Sequence, residues 1–282
     1  MSTVHDPAGM LALEQTGEHT YLAANLESPS PVVFGGQILA QALTAASKSA
    51  PGKVVLSLHT VFERGASPNQ PLELEVAPIS DGRTMACRTV TVRQGARVCA
   101  TITALLHAPE ADLIRHGASP DRLEVPAATT ASGAHDWWDV SIVDDVDLAD
   151  PDAVGPAELS IWSRFRGVPD GEAANQAMLG YASDGFLIAT AMRPHAGVGQ
   201  AQAHVTVSTS VLTQTISFHE PFDACDWHLI VHESPYAGRG RSYGRAHVYS
   251  RHGSLVASFA QDNIVRALAQ DQRPAPGERA KY

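Results

Sequence analysis

Gly240-Arg241-Ser242-Tyr243-Gly244 has the G-x-S-x-G spacing of a serine-hydrolase nucleophile turn. That chemistry needs a strand before the serine and a helix after it. The residues that follow, Arg245-Ala246-His247-Val248-Tyr249, alternate as a strand instead, so the match is read as coincidental. Gly35-Gly36 opens an apolar run, where a glycine pair has two readings. It can present free helix N-terminal amides to a carbonyl or a pyrophosphate, or it can let the helix pack closely on a sheet. Gln37 beside it either lines a pocket or ties structure together. Arg64, Arg83, Arg239, Arg241 and Arg245 carry the guanidinium forks that suit phosphate, against the plainer reading of hairpin arginines in solvent. The 13 histidines show no His-Glu-x-x-His or other zinc spacing. Asp136, Asp139, Asp144, Asp145, Asp147, Asp150 and Asp152 read as a solvated acidic face rather than a metal site, and no metal is assigned.

The chain has 282 residues and a formal charge of −10, which argues against nucleic acid and anionic membrane surfaces as partners. A small anionic ligand stays open, because local arginines override a global balance. Cys87, Cys99 and Cys225 make an odd set without metal or redox spacing, as expected of reduced, buried thiols. The N-terminal MSTVHDPAGMLALEQ lacks a basic region followed by an apolar core. No apolar run approaches the ~20 residues of a membrane span. The expectation is a cytoplasmic protein.

Elements must position any such chemistry. Phe34 to Ser47 has helical apolar spacing with small alanine faces, which predicts a buried helix. Val54–Phe62 carries β-branched and aromatic residues, Leu72–Val76 and Cys87–Arg93 alternate, and Val98–Leu106 follows, all reading as strands, with turns at Ser80-Asp81-Gly82 and Gln94-Gly95. One helix followed by an antiparallel meander is an α+β unit. Periodicity then dissolves between Pro109 and Pro156, which reads as a connector. Leu159–Arg166 resumes as a strand, and Gln176–Arg193 is a second helix. The polar tail after Leu268 is expected to fray.

The meander occurs twice. Aligning Phe62 with Phe218 sets an offset of 156, carrying Leu72, Leu74 and Val76 onto His228, Ile230 and His232. The sequence match then slips by one, placing Arg88 on Arg245, and by one more, placing Gly95 on Gly253 and Thr103 on Gln261. Two copies of one unit tend to pair about a pseudo-twofold axis, so a ligand site is expected between the halves. The copies differ in chemistry. Thr103 stands against Gln261 and Pro78 against Ser234, which concentrates reactive groups in the second copy.

The run Val33–Ala46, with His59-x-x-Phe62 and Asp81-Gly82-Arg83, resembles the acyl-CoA thioesterase II family, the double-hotdog thioesterases. In the second copy the resemblance includes Phe218-His219-x-Pro221-Phe222, the Trp227 strand, Glu233-Ser234-Pro235, Arg251-x-Gly253 and Leu255–Arg266. It implies an α+β double hotdog, in which each unit is a curled antiparallel sheet wrapped around a long central helix. The expected organisation is an N-terminal hotdog over 1–110, a connector over 111–156, a C-terminal hotdog over 157–270 and a flexible tail over 271–282. Hydrolysis of fatty acyl-CoA to acid and CoA by a positioned water is implied, with no cofactor, and a homo-oligomer of two or more chains is expected.

The family pattern holds the water with an aspartate, a serine or threonine, and a glutamine. The glutamine falls on Gln261 and the hydroxyl on Ser234. Where the pattern has Leu-Asp-His, this chain has Leu212-Thr213-Gln214. Thr213 cannot act as a general base near neutral pH, and losing a positioned base typically costs about 10²–10⁴ in rate. Asp184, near the start of the second central helix, is the leading substitute. Gly35, Gly36, Gln37, His59, Arg83 and Arg239 are the substrate-binding candidates. His59 and His219 sit on strands expected to be buried, where a histidine is either a satisfied core residue or part of a site. The alternative function is an acyl-CoA-binding protein with weak or no turnover, because of Thr213. An enoyl-CoA hydratase is a third reading, without an Asp-His pair at its expected place.

Overall fold

A computed structural model of the chain describes residues 3–28, 30–127, 131–132 and 135–269. The expected tail over 271–282 lies outside the described residues. In chain order the elements are α1 (Pro7–Leu11), β1 (Glu14–Gln15), β2 (Thr20–Ala23), α2 (Gly35–Lys48), β3 (Val54–Phe62), β4 (Leu72–Asp81), β5 (Met85–Gln94) and β6 (Arg97–His107). After these come β7 (Ala131–Ser132), β8 (Trp138–Ile142), β9 (Glu158–Phe165), α3 (Glu172–Ser183), α4 (Leu187–Met192), β10 (Val207–Phe218), β11 (His228–Gly238), β12 (Arg241–Ser250) and β13 (Leu255–Ala267).

All strands join one antiparallel sheet in the order β1-β2-β4-β5-β6-β3-β10-β13-β12-β11-β9-β8-β7. The order reads alike from either end. β3 and β10 meet at the centre, where Thr215 faces His59, its own partner under the 156-residue offset. The pseudo-twofold axis therefore passes through that pair, with His59 Nδ1 and Thr215 Oγ1 2.8 Å apart. α2 and α3 lie on the inner face, so the architecture is the α+β double hotdog. No helix among the described residues is long and apolar enough to cross a membrane.

Small residues let the two helices touch. A Cβ on Gly180 would lie 2.6 Å from Leu43, and a Cβ on Gly36 would overlap the Tyr181 carbonyl. The start of α2 meets Tyr181 and Asp184 at the end of α3, while Val55 beyond its other end bonds Gln176 earlier in α3, so the helices run antiparallel. The segment read as a patternless connector supplies β8, which pairs with β9. Its Trp137 and Trp138 pack edge-on against Tyr181. Asp139, read as part of a solvated run, is buried and accepts hydrogen bonds from Arg164 and Arg166. A five-residue strand is too short to show a period, and its charge is neutralised from a neighbouring strand.

Sheet register corrects the internal alignment. Gln261 pairs with Gly244 and Gln214, whereas Ala104 pairs with Arg88 and Leu58. Under the twofold, Gln261 thus corresponds to Ala104, Gln214 to Leu58 and Gly244 to Arg88. The sequence match had set Thr103 against Gln261 and Arg88 against Arg245. A one-residue slip exchanges the two faces of a strand, and Thr103 and Arg245 both face outward. Arg88 is buried instead, bonding Ser49 at the end of α2, the Ser80 carbonyl and Asp81.

Candidate active site

The helix expected over 176–193 is two helices. α3 ends at Ser183, Asp184 caps it in αR geometry, and α4 restarts after Gly185-Phe186. Asp184 therefore follows the end of the central helix rather than standing near its start. Its Oδ2 accepts the Gly36 N–H at 3.0 Å, across the junction between the halves. A Cβ on Gly35 would lie 2.7 Å from the same oxygen, so the glycine pair is what admits the carboxylate. The close-packing reading of Gly35-Gly36 fits this geometry, whereas the Gly36 N–H meets the protein's own carboxylate instead of standing free for a carbonyl or a pyrophosphate.

Gln261 Nε2 donates to Asp184 Oδ1 at 3.3 Å and to the Ser183 carbonyl at 3.3 Å. On the adjacent strand, Gln214 Nε2 donates to Ser183 Oγ at 2.9 Å. Thr60 of β3 is the next residue in that row, opposite Gln214. Thr60 Oγ1, Gln214 Oε1 and Gln261 Oε1 are all buried without a hydrogen-bond partner among the protein groups. A row of buried oxygens lacking partners departs from the ordinary interior, where such atoms are nearly always satisfied.

Burial pushes the Asp184 carboxyl up to about 7, with the Gly36 N–H working against that rise. The group also lies between the negative end of the α3 dipole and the positive end of α2, two opposed influences. Asp184 as a residue is half-buried, while its carboxyl is enclosed by the protein. A carboxyl that titrates near neutrality is suited to taking a proton from water and returning it. The Ser183 hydroxyl gives its own proton to the Gly180 carbonyl and so is not presented as a nucleophile.

Other sequence candidates stand apart from this group. Ser234 is buried at a bulge in β11 and donates to the Tyr243 carbonyl at 2.8 Å. It lies two strands over from Gln261, roughly 10 Å at ordinary strand spacing. Thr213 faces the opposite side of the sheet and donates to Asp262 Oδ2 at 3.1 Å. A bulge between Val211 and Thr213 sets that parity and turns Gln214 inward. We therefore expect Thr213→Val to keep kcat within about threefold of wild type, since outward surface changes seldom reach a buried site; a steady-state assay checks this. Gln37 is structural: its Oε1 accepts the Leu26 N–H and its Nε2 donates to Asn25. His59 and His219 are exposed on the outer face, against the expectation of burial, because their inward neighbours fill the core. Arg83 and Arg239 occupy exposed turns, one in each half, and neither bonds the Asp184 group.

The G-x-S-x-G stretch lies at the turn into β12 and along it, with Ser242 buried there. Two inward groups escaped the sequence reading. Gln214 carried only a strand signal. His232 is fully buried between Phe186 and Phe259, donates from Nδ1 to the Leu159 carbonyl, and is pushed down to about 4 by burial. Among the described residues no group of three His, Cys, Asp or Glu side chains is placed to hold a metal ion.

Comparison with known proteins agrees with this layout. Residues 23–107 match a family profile described as the acyl-CoA thioesterase N-terminal domain, and residues 120–265 match one described as its C-terminal domain. Acyl-CoA thioesterase 2 of Haemophilus influenzae is 28% identical, covering 91% of this chain and 96% of its own. Acyl-coenzyme A thioesterase 8 of Mus musculus is 29% identical, covering 93% and 89%. Among solved structures, a tesB protein of Mycobacterium avium subsp. paratuberculosis superposes with a TM-score of 0.79 at 25% identity, over 92% of this chain and 97% of that one. An acyl-CoA thioesterase II of Mycobacterium marinum gives 0.76 at 26%, over 94% and 98%. With both of its domain profiles matched in order along a doubled hotdog, the chain belongs to the acyl-CoA thioesterase family.

Proposed function

We propose that this protein hydrolyses acyl-CoA thioesters at the Asp184–Gln261 site. The carrying observation is one carboxylate held by an amide of each half: the Gly36 N–H from the first and the Gln261 side chain from the second. Asp184 takes a proton from water as the water oxygen bonds to the thioester carbonyl carbon. The C–S bond then breaks, and the departing CoA thiolate takes that proton back from Asp184. The acid is left as the other product. The positive end of α2 favours negative charge developing on the carbonyl oxygen.

The binding-only alternative rested on Thr213 at the expected base position. It loses its motive once a carboxylate from α3 lies beside Gln261. Fatty acyl chains as substrate, action in the cytoplasm and assembly into a homo-oligomer complete the reading. They are supported by the negative charge, the free cysteines and the match to the family along nearly the whole chain.

Release of CoA from an acyl series between acetyl and palmitoyl tests the activity, and background rates throughout would sink it. Gln261→Ala removes the bond to Asp184 Oδ1 together with an inward oxygen. We expect kcat to fall by about tenfold or more in that assay.

A further inference from the structure

Gln214 has no assigned role, yet the hydrogen bonds around it fix which way its amide points. Ser183 Oγ spends its only proton on the Gly180 carbonyl at 2.8 Å. Toward Gln214 that oxygen can only accept, so the amide presents Nε2 to it at 2.9 Å and turns Oε1 away. The same logic applies to Gln261. The Ser183 carbonyl is an acceptor, so Nε2 faces it and Oε1 is turned away. Gln214 and Gln261 are directly opposite each other on β10 and β13, both inward, with 0% and 1% of their surface exposed. Two amide oxygens, each buried and lacking a donor, are thereby held side by side next to the Asp184 carboxylate. A water molecule has two O–H donors, which matches that pair.

We propose that Gln214 is a second water-holding catalytic residue, its Oε1 accepting one O–H of the attacking water while Gln261 Oε1 accepts the other. The assignment rests on the hydrolytic reading above. During reaction the O–H on the Gln261 side turns from that amide oxygen to the adjacent Asp184 carboxylate and its proton passes there, while the one on Gln214 stays with the attacking oxygen. Holding the Gln214-side proton throughout aims the oxygen lone pair at the carbonyl carbon as the C–O bond forms. Breaking the C–S bond then returns Asp184's proton to the thiolate, so atoms and charge balance.

Gln214→Leu, Gln214→Met and Gln214→Glu test this in the CoA-release assay over a pH series, with Asp184→Asn run in parallel. Leu and Met remove the oxygen, and kcat should fall about 30-fold or more with KM within threefold, because a group touching only the attacking water affects turnover more than binding. Met keeps the chain length and takes the place of Leu should that variant fail to fold. Glu keeps an inward oxygen, so it should recover at least about fivefold of the loss. Glu also adds a carboxyl beside Asp184, which should move the acid limb of the pH–rate profile upward. The upward move reports only that position 214 stands beside Asp184, whereas a merely structural glutamine would give no recovery of kcat with Glu. Turnover within threefold of wild type for Leu or Met would overturn the role. So would a Glu variant as slow as Leu with its acid limb unmoved. Near-normal turnover by Asp184→Asn would instead reject the parent reading, and the two failures are told apart by which variant stays active.

Discussion

Asp184→Asn should lower kcat by about 10² to 10⁴, the range lost when a positioned general base is removed. Asparagine keeps the size and leaves an oxygen for the Gly36 N–H, so the fold should survive. The wild-type rate should rise with pH through a midpoint near 7, where the Asp184 carboxyl loses its proton; the asparagine variant should lose that limb. Stability should move in the opposite sense. A carboxyl raised from 3.8 to about 7 on folding favours the native state at pH values below its unfolded pKa. That contribution is lost as pH rises between those two values, because above them burial of the charge opposes folding. Asparagine carries no such charge, so the variant should have a higher Tm than wild type at pH 8, with the gain fading toward pH 4. Thermal unfolding at the two pH values, alongside kcat, checks both signs on one preparation. A variant that is slow and also less stable at pH 8 would mean that the buried carboxylate holds structure rather than serving as the base.

Gly36→Ala is expected to cost both stability and turnover. Helix propensity alone predicts the reverse, since alanine is favoured over glycine by roughly 1 kcal/mol in a helix interior. Packing decides against it. The added Cβ would overlap the Tyr181 carbonyl and lie 2.5 Å from the Phe34 ring. A main-chain oxygen cannot swing away, so α3 must shift. Overpacking of this kind costs about 1–3 kcal/mol, or a few degrees to about 10 °C in Tm at this chain length. Because α3 carries Asp184 at its end, the carboxylate is displaced with it, and a misplacement near 1 Å can cost about 100-fold in rate. Calorimetry and steady-state kinetics on the purified variant read both effects. An increase in Tm would show that the two helices are not in such close contact.

Much of the fold is legible in the sequence because its signals are local. Val54–Phe62 is dense in β-branched and aromatic residues along β3, and a corresponding strand recurs at β10. What escapes is whatever depends on counting residues through bulges. The bulges at Val92/Arg93 and Val248/Tyr249 stand at the same place in both halves, and the second half adds its extra residue only in the turn between Tyr249 and Leu255; the alignment by letters slips earlier, and a one-residue slip exchanges the inward for the outward face. Thr213 holds the base position of the family pattern, yet the bulge beside it sends it outward and leaves Gln214 as the inward neighbour. The break at Asp184-Gly185 is equally quiet, since Phe186-Leu187 and Ala191-Met192 continue the apolar pattern across it. Nor does any period mark Trp137-Trp138, whose indoles wall the aromatic cluster around Tyr181.

The buried Arg88 bears on the stoichiometry expected of the proposed site. At the position related by the pseudo-twofold to Gly244, its guanidinium is locked to Ser49 and Asp81, while Leu58 and Ala104 stand where Gln214 and Gln261 would be. Under the proposed site, the first half has a filled socket where a second centre would stand. A symmetric pair of identical subunits changes both of its sites with every substitution. Fusion removes that constraint, so one half can trade reactivity for rigidity while its twin keeps the chemistry. Titration with a non-hydrolysable acyl-CoA should accordingly reach its endpoint at one equivalent per chain.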